Sequence, residues 1–303
     1  MEYRTFLVWA TLLICLASIS ASEGATVAVF KSKDSGMYNR PIPALKSVCK
    51  GTVKEYSMNG KAAEGKKIAE KMNASKPDVV VAVGTAASKI AKSDINPSIP
   101  IVYCLVTNPG KYGLQGGNIT GVALKIPMKM QLETLKQIYP KLARLGIVYN
   151  PSRVASTIKE AKEAAGQIGI TLVTKEVSDG SEVPDALESM KGTIDALYLP
   201  PDKTLTGEGT MQFMMLFTIQ NKLPFLVPSG KFVKQGGLLA LNPDFDAIGR
   251  QTANLVNKIL GNASPSDLPP EFPTEIQLII NQKTMQQIGI QVPQELLSKA
   301  KMY

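Results

Sequence analysis

The chain has 303 residues, 44% of them hydrophobic, with 34 Lys and Arg against 25 Asp and Glu, a formal net charge of +9 and no histidine. That length exceeds a single domain of roughly 100–200 residues, so two lobes are expected, each with its own core. The missing histidine excludes a Ser–His nucleophilic dyad and the commonest metal ligand, and no metal or other cofactor is expected. Lysines are dispersed over what read as solvated helix faces (Lys61, Lys66, Lys67, Lys71, then Lys159 and Lys162), without interleaved aromatics, so no nucleic-acid partner is expected.

At the amino end, one cationic side chain (Arg4) precedes an almost wholly apolar run from Phe6 to Ile19, and Ser18, Ser20, Ala21 and Ser22 then supply small residues. The run is shorter than the about 20 residues a membrane helix needs. It reads as a secretory signal, residues 1–22, removed near Ser20 or Ser22, with an uncleaved anchor as the alternative. Bulky Ile14 before Cys15 argues against a lipoprotein. Cys49 and Cys104 remain after cleavage and read as free, partly buried thiols, although an oxidising compartment would allow a bond.

Strand and helix then alternate. Thr26–Phe30 is a strand, Pro41–Val48 a helix, Thr52–Tyr56 a strand, Ala62–Asn73 a helix, Val79–Val83 a strand, Ala86–Ala91 a helix and Ile101–Val106 a strand. Continuous apolar runs between helices mark parallel strands covered on both faces. A glycine-rich turn over 116–121 interrupts the pattern, and Gly121–Leu124 reads as a crossing to a second lobe. The alternation restarts with helix Met128–Ile138, strand Arg144–Tyr149, helix Ser156–Ile168 and strand Ile170–Val177. Helix Glu182–Met190, strand Ala196–Leu199, helix Met211–Asn221 and strand Phe225–Val227 complete it. A tail adds helix Asp246–Leu260, a strip with Pro265, Pro269, Pro270 and Pro273, and strand Glu275–Ile280.

The halves echo each other. Asp78 to Thr85 (DVVVAVGT) is answered by Asp195 to Asp202 (DALYLPPD), and Ile99–Asn108 by Leu223–Ser229, each with a proline opening a strand. The expected class is α/β, with two Rossmann-like doubly wound lobes built on parallel sheets.

In such sheets ligands bind beyond the carboxyl ends of the strands. Those ends are Ser32–Asp34, Gly84–Ala86, Thr107–Pro109, Asn150–Ser152, Pro201–Lys203 and Pro228–Gly230, rich in hydroxyls, amides and carboxylates. Cys104 lies mid-strand without a base, Gly84–Ala86 lacks P-loop spacing, and an Asp34–Asp202 carboxylate pair lacks the acidic and aromatic surroundings of a glycosidase. The amides of Thr85, Ala86 and Ala87, with the hydroxyls of Thr85 and Ser88, are expected to take a carboxylate at the helix start. Asp202 is expected to take an ammonium, so Asp202→Ala should abolish ligand stabilisation and leave the unliganded fold nearly unchanged. The alternative is that Thr85 and Asp202 merely cap their turns.

Asn118–Gly121 (NITG), Arg144–Ser152 (RLGIVYNPS), Tyr198–Asp202 (YLPPD) and Asn242–Gln251 (NPDFDAIGRQ) resemble the substrate-binding proteins of ABC transporters. More narrowly, the similarity is to the family that includes tryptophan- and phenylalanine-binding members, and it spans Thr26 to Ala300. The resemblance implies a type I periplasmic-binding-protein fold with three crossings, placed at Gly121, in the proline-rich strip and near Leu241–Asn242. The lobes would comprise 23–121 plus 243–272, and 122–242 plus 273–303. It implies a non-enzymatic, periplasmic, monomeric receptor that presents a small amino-acid-like solute to an ABC permease. The expected ligand-binding residues are Asp34, Thr85, Ala86, Thr107 and Asn108 in the first lobe, and Asn150, Ser152, Asp202 and Ser229 in the second. Lys203 stands where relatives often carry Asn, and Lys33–Tyr38 departs from their His-Pro pattern, so an aromatic specificity is not implied. A sensory module serving a membrane kinase and a small exported hydrolase are the alternatives.

Overall fold

The computed structural model describes residues 24–303, so the expected export signal, with its Ser20 or Ser22 cleavage position, lies outside them. Strands β1 (Thr26–Lys31), β2 (Thr52–Ser57), β3 (Val79–Val83), β4 (Ile101–Val106) and β5 (Ile119–Ala123) form a five-stranded sheet in the order β2-β1-β3-β4-β5. Every pair in it is parallel. β3 and β4 are buried along their whole length, as their unbroken Val/Ile runs require. Val80 and Ala82 pack against Ile68, Ala69 and Met72 on one face, while Val79, Val81 and Val83 pack with Leu45, Ile248 and Val256 on the other. Each fully buried valine of this kind contributes roughly 1.5–3 kcal/mol.

Strands β6 (Arg144–Tyr149), β7 (Thr171–Glu176), β8 (Ala196–Tyr198), β9 (Phe225–Leu226), β10 (Leu239–Pro243), β11 (Ile276–Ile280) and β12 (Lys301–Met302) form the second sheet, ordered β12-β11-β10-β9-β8-β6-β7. β11 runs antiparallel to β10, and β12, which pairs parallel with it, shares its reversed direction; the remaining pairs are parallel. β11 enters from the other lobe instead of through a βαβ crossover, so the right-handed crossover rule does not set its direction.

The chain returns once to the first sheet. Helix Phe245–Leu260 packs on helix Pro41–Val48, and it does so at Gly249, where a Cβ would stand 2.2 Å from the Pro41 carbonyl oxygen. Asn257 ties the same helices together, accepting from the Lys50 amide and donating to the Val48 carbonyl, both at 2.9 Å.

Residues 124–127, Asp244 and residues 271–275 join elements of the two sheets and lie side by side. Glu271 exchanges backbone bonds with Gly121 and Ala123, and the Asp244 amide donates to Glu275 O. Two of the three expected crossing positions fall within strands. Gly121 is inside β5, with a Cβ position only 2.2 Å from Tyr103 O, and Leu241–Asn242 lie inside β10. The front of the proline strip stays on the first lobe, where Thr120 Oγ1 donates to Leu268 O at 2.7 Å.

The sequence echo has a physical counterpart at the strand starts. The Asp78 carboxylate accepts from the Thr26 amide at 2.7 Å, and Asp195 accepts from the Arg144 amide at 2.7 Å and the Ala143 amide at 3.1 Å. Burial pushes the Asp195 carboxyl up, but the Arg144 guanidinium at 2.8 Å and these amides together hold it below the usual carboxylate range.

Candidate functional site

Beyond the carboxyl ends of β4, β8 and β9 lies a cleft of about 320 Å³, within the roughly 300–1,000 Å³ of small-molecule sites. Thr107 and Asn108 line it from the first sheet; Tyr198, Pro201, Pro228 and Leu241 line it from the second. The crossing contributes Leu124, Lys125 and Ile126.

Two irregularities aim residues into this space. In β4 the register shifts between Cys104 and Val106, and Leu105 takes φ +58°, a left-handed conformation that costs a non-glycine residue about 1–2 kcal/mol. Burial of Leu105 holds the bulge, and the chain emerges with Thr107 and Asn108 exposed. In helix Pro151–Gln167, Val154 (φ −132°, ψ 20°) is non-helical. The regular turns resume just past it, where Ser156, Thr157 and Glu160 line the cleft.

Glu160 pairs with the Lys125 ammonium, the two side chains being 43% and 35% exposed. Below them Tyr198 is buried; desolvation, and secondarily the negative charge of Glu160, push its hydroxyl well above the ordinary tyrosine value. Among the described residues no group of three or more Cys, Asp or Glu side chains is placed to hold a metal ion.

Of the residues expected from sequence, Thr107 and Asn108 stand in the cleft. Asn150 and Ser152 do not; they line a separate open groove with Glu176, Val177 and Ser178. Asn150 is a cap: its Oδ1 accepts from the Ser152 amide at 3.0 Å and hydroxyl at 2.7 Å, and its Nδ2 donates to Ser178 O at 2.8 Å.

Asp202 is 1% exposed, so its carboxylate does not open onto the cleft, although its neighbour Pro201 does. Its two oxygens accept from the Asn150 amide at 2.8 Å and the Thr204 amide at 2.9 Å.

Thr85 and Ala86 open helix Thr85–Asp94, half-buried and exposed respectively, but the expected set of donors there is smaller. Ser32 Oγ already accepts from the Ala87 amide at 2.9 Å, and the buried Ser88 hydroxyl donates to Gly84 O at 2.9 Å. Asp34 is exposed beside Asn39 Nδ2 at 2.8 Å and Lys31 Nζ at 3.2 Å, partners that hold its carboxyl below the ordinary range. Ser229 is half-buried at the start of the short helix Gly230–Lys234, next to Pro228 of the cleft.

Lys125, Ser156, Thr157, Glu160 and Tyr198 were missed by sequence reasoning. Tyr198 had a usable signal, as the last and bulkiest residue of a buried strand that ends at a ligand-binding edge.

Residues 42–303 match the family described as ABC transporter substrate binding protein. A relative from Clostridioides difficile (strain R20291), named a tyrosine-binding protein, is 29% identical over 232 residues. That match covers 74% of this chain and 66%, just under two thirds, of the relative's own length. Among solved structures, the ligand-free, open form of a substrate binding protein with adhesive properties from Clostridium difficile superimposes with a TM-score of 0.76 at 23% identity. An ABC domain in complex with L-Trp from Streptococcus pneumonia does so at 0.54 and 22%. Each covers 92% of this chain and 99% of the other, and both share its fold.

Proposed function

The chain belongs to the ABC transporter substrate-binding protein family, and from that premise we propose that it is an extracytoplasmic receptor of an ABC importer. It captures a small amino-acid-like solute between its lobes and hands it to a membrane permease, acting as a monomer in the periplasm. The observation that carries this reading is the cleft walled by both sheets; its described lining has one cation, one anion, hydroxyls and the carboxamides of Asn108 and Gln131 around an apolar floor of Tyr198, Ile126, Met128 and Leu241. A zwitterion with an apolar or aromatic side chain matches that inventory. A tyrosine-binding relative and an L-Trp complex of the same fold support the ligand class.

Contacts from both lobes favour a closed state over an open one, and that difference in affinity drives closure. Thr107 and Asn108 contact the solute in this scheme; Asp34, Thr85, Ala86, Ser152 and Ser229 form the strand-end rim, and Asn150 and Asp202 brace it. The protein binds its solute and does not convert it. The Cys104 thiol is sealed within β4 and pushed up to about 12 by burial, so it is no nucleophile.

The test is thermal shift and calorimetry of the exported form against the proteinogenic L-amino acids. At least one should bind saturably, stabilising by about 2.7 kcal/mol at roughly 100 times its Kd, and be recovered unaltered by mass spectrometry. No shift with any amino acid, together with no retained solute in native mass spectra, refutes the reading.

A further inference from the structure

We propose that Glu160 seats the ammonium group of the solute, and that Lys125 is an internal cation occupying that seat while the cleft is empty. The proposal rests on the amino-acid receptor reading and assigns the polar ends of the solute within it.

Among the residues lining the cleft, Glu160 is the one acid and Lys125 the one base. Asp202 does not compete, being 1% exposed with both oxygens on backbone amides. Glu160 lies one turn beyond Ser156 on the same helix face, about 6 Å along the axis. The two ends of the solute are thereby assigned. The hydroxyls of Ser156 and Thr157, just past the break at Val154, take the carboxylate where the helix dipole favours negative charge. Glu160 takes the ammonium a turn below, where Tyr198 also lines the cleft.

The exposure of the ion pair decides whether the seat can be exchanged. A buried pair would resist displacement, because removing one partner leaves an uncompensated buried charge. A pair with side chains 35% and 43% exposed is screened by solvent and weak while the cleft is open, so a ligand ammonium enclosed on closure displaces Lys125 at little cost.

Lys125 is also placed to report the exchange. It follows Leu124, whose amide donates to Val106 O at 2.8 Å, and it leads into the crossing between lobes. Lys125, Glu160 and Met128 line both the cleft and an outer groove bounded by Pro127 and Phe272, so the pair forms the polar part of the partition between the two. Its opening couples occupancy of the cleft to the crossing.

The experiment compares L-tyrosine, L-tryptophan and L-phenylalanine with their deaminated propionate analogues by calorimetry on wild type, Glu160→Gln and Lys125→Met, with unliganded melting as a check on folding. Wild type should prefer at least one amino acid over its analogue by at least about 30-fold, about 2 kcal/mol at 1.4 kcal/mol per tenfold. Glu160→Gln should shrink that preference to within about 3-fold, and Lys125→Met should bind the same amino acid more tightly than wild type. Wild type binding the analogue as well as the amino acid overturns the assignment without any variant. Retention of the full preference in a folded Glu160→Gln protein, or weaker binding in Lys125→Met, overturns it as well. If wild type binds none of the three amino acids or their analogues, the inference falls, and the full amino-acid panel then decides whether the receptor reading falls with it.

Discussion

Replacing Asp202 by alanine should destabilise the unliganded protein strongly, reversing the sequence-based expectation that its fold would be nearly indifferent. The side chain is 1% exposed, and its oxygens accept from the Asn150 amide at 2.8 Å and the Thr204 amide at 2.9 Å. Hydrogen bonds to a charged group contribute about 1.5–3 kcal/mol each, and deletion strands both donors. Relief of carboxylate desolvation and entry of water into the vacated space offset part of the loss, leaving about 2–4 kcal/mol. At about 2–4 °C per kcal/mol, melting should fall by roughly 6–12 °C for a 3 kcal/mol loss. Differential scanning fluorimetry and urea unfolding of the unliganded protein measure it. Asp202→Asn, which keeps one carbonyl acceptor but turns an N–H toward an amide donor, should recover only part of the loss. An alanine variant melting within about 1 °C of wild type, the scatter expected of a surface substitution, refutes the bracing role.

Gly121→Ala should cost more than about 2 kcal/mol in chemical denaturation, since its Cβ would stand 2.2 Å from Tyr103 O and 2.6 Å from Tyr103 Cγ, and backbone atoms cannot step aside. Asp195→Asn should lower stability at neutral pH by about 1–3 kcal/mol. Because the folded-state carboxyl of Asp195 is depressed, its contribution is full above the unfolded value near pH 4 and is lost as pH falls through the lower folded value, so urea midpoints of variant and wild type should converge in acid. Cys104 should stay unreactive toward a thiol reagent at pH 8 until denaturant is added, whereas half-buried Cys49, raised less by burial, should react slowly in the native protein.

Long apolar strands and amphipathic helices were legible because burial on both faces leaves unbroken Val/Ile runs and burial on one face leaves a 3.6-residue period. Helix Phe245–Leu260 illustrates the second case, with Ile248, Leu255, Val256 and Ile259 all buried. β10 was not legible: Leu239–Pro243 has only three fully buried residues before polar Asn242 and a proline, so it reads as a loop until β11 pairs beside it. The short helices Gln282–Ile288 and Gln294–Lys299 were missed for a related reason. Both are mostly polar and lack a long periodic apolar face; the first is capped by Asn281, which accepts from the Thr284 amide, and the second has no side-chain cap.

The site was harder to read because a polar residue at a strand end has two possible uses that sequence does not separate. In the first lobe Ser32 Oγ, after β1, accepts from the Ala87 amide after β3; in the second, Asp202 after β8 accepts from the Asn150 amide after β6. The two lobes thus stitch corresponding turns together with the acceptor on opposite strands, and the stitch consumes groups that looked ready for a ligand. The polar groups that line the cleft come instead from places where regular structure breaks, Thr107 and Asn108 beyond the Leu105 bulge and Ser156, Thr157 and Glu160 beyond the Val154 kink. Neither break has a glycine or proline at its centre, so nothing local announces it. A leucine held left-handed and a valine held out of a helix persist because the packed core around them, in which both are buried, overcomes the local cost.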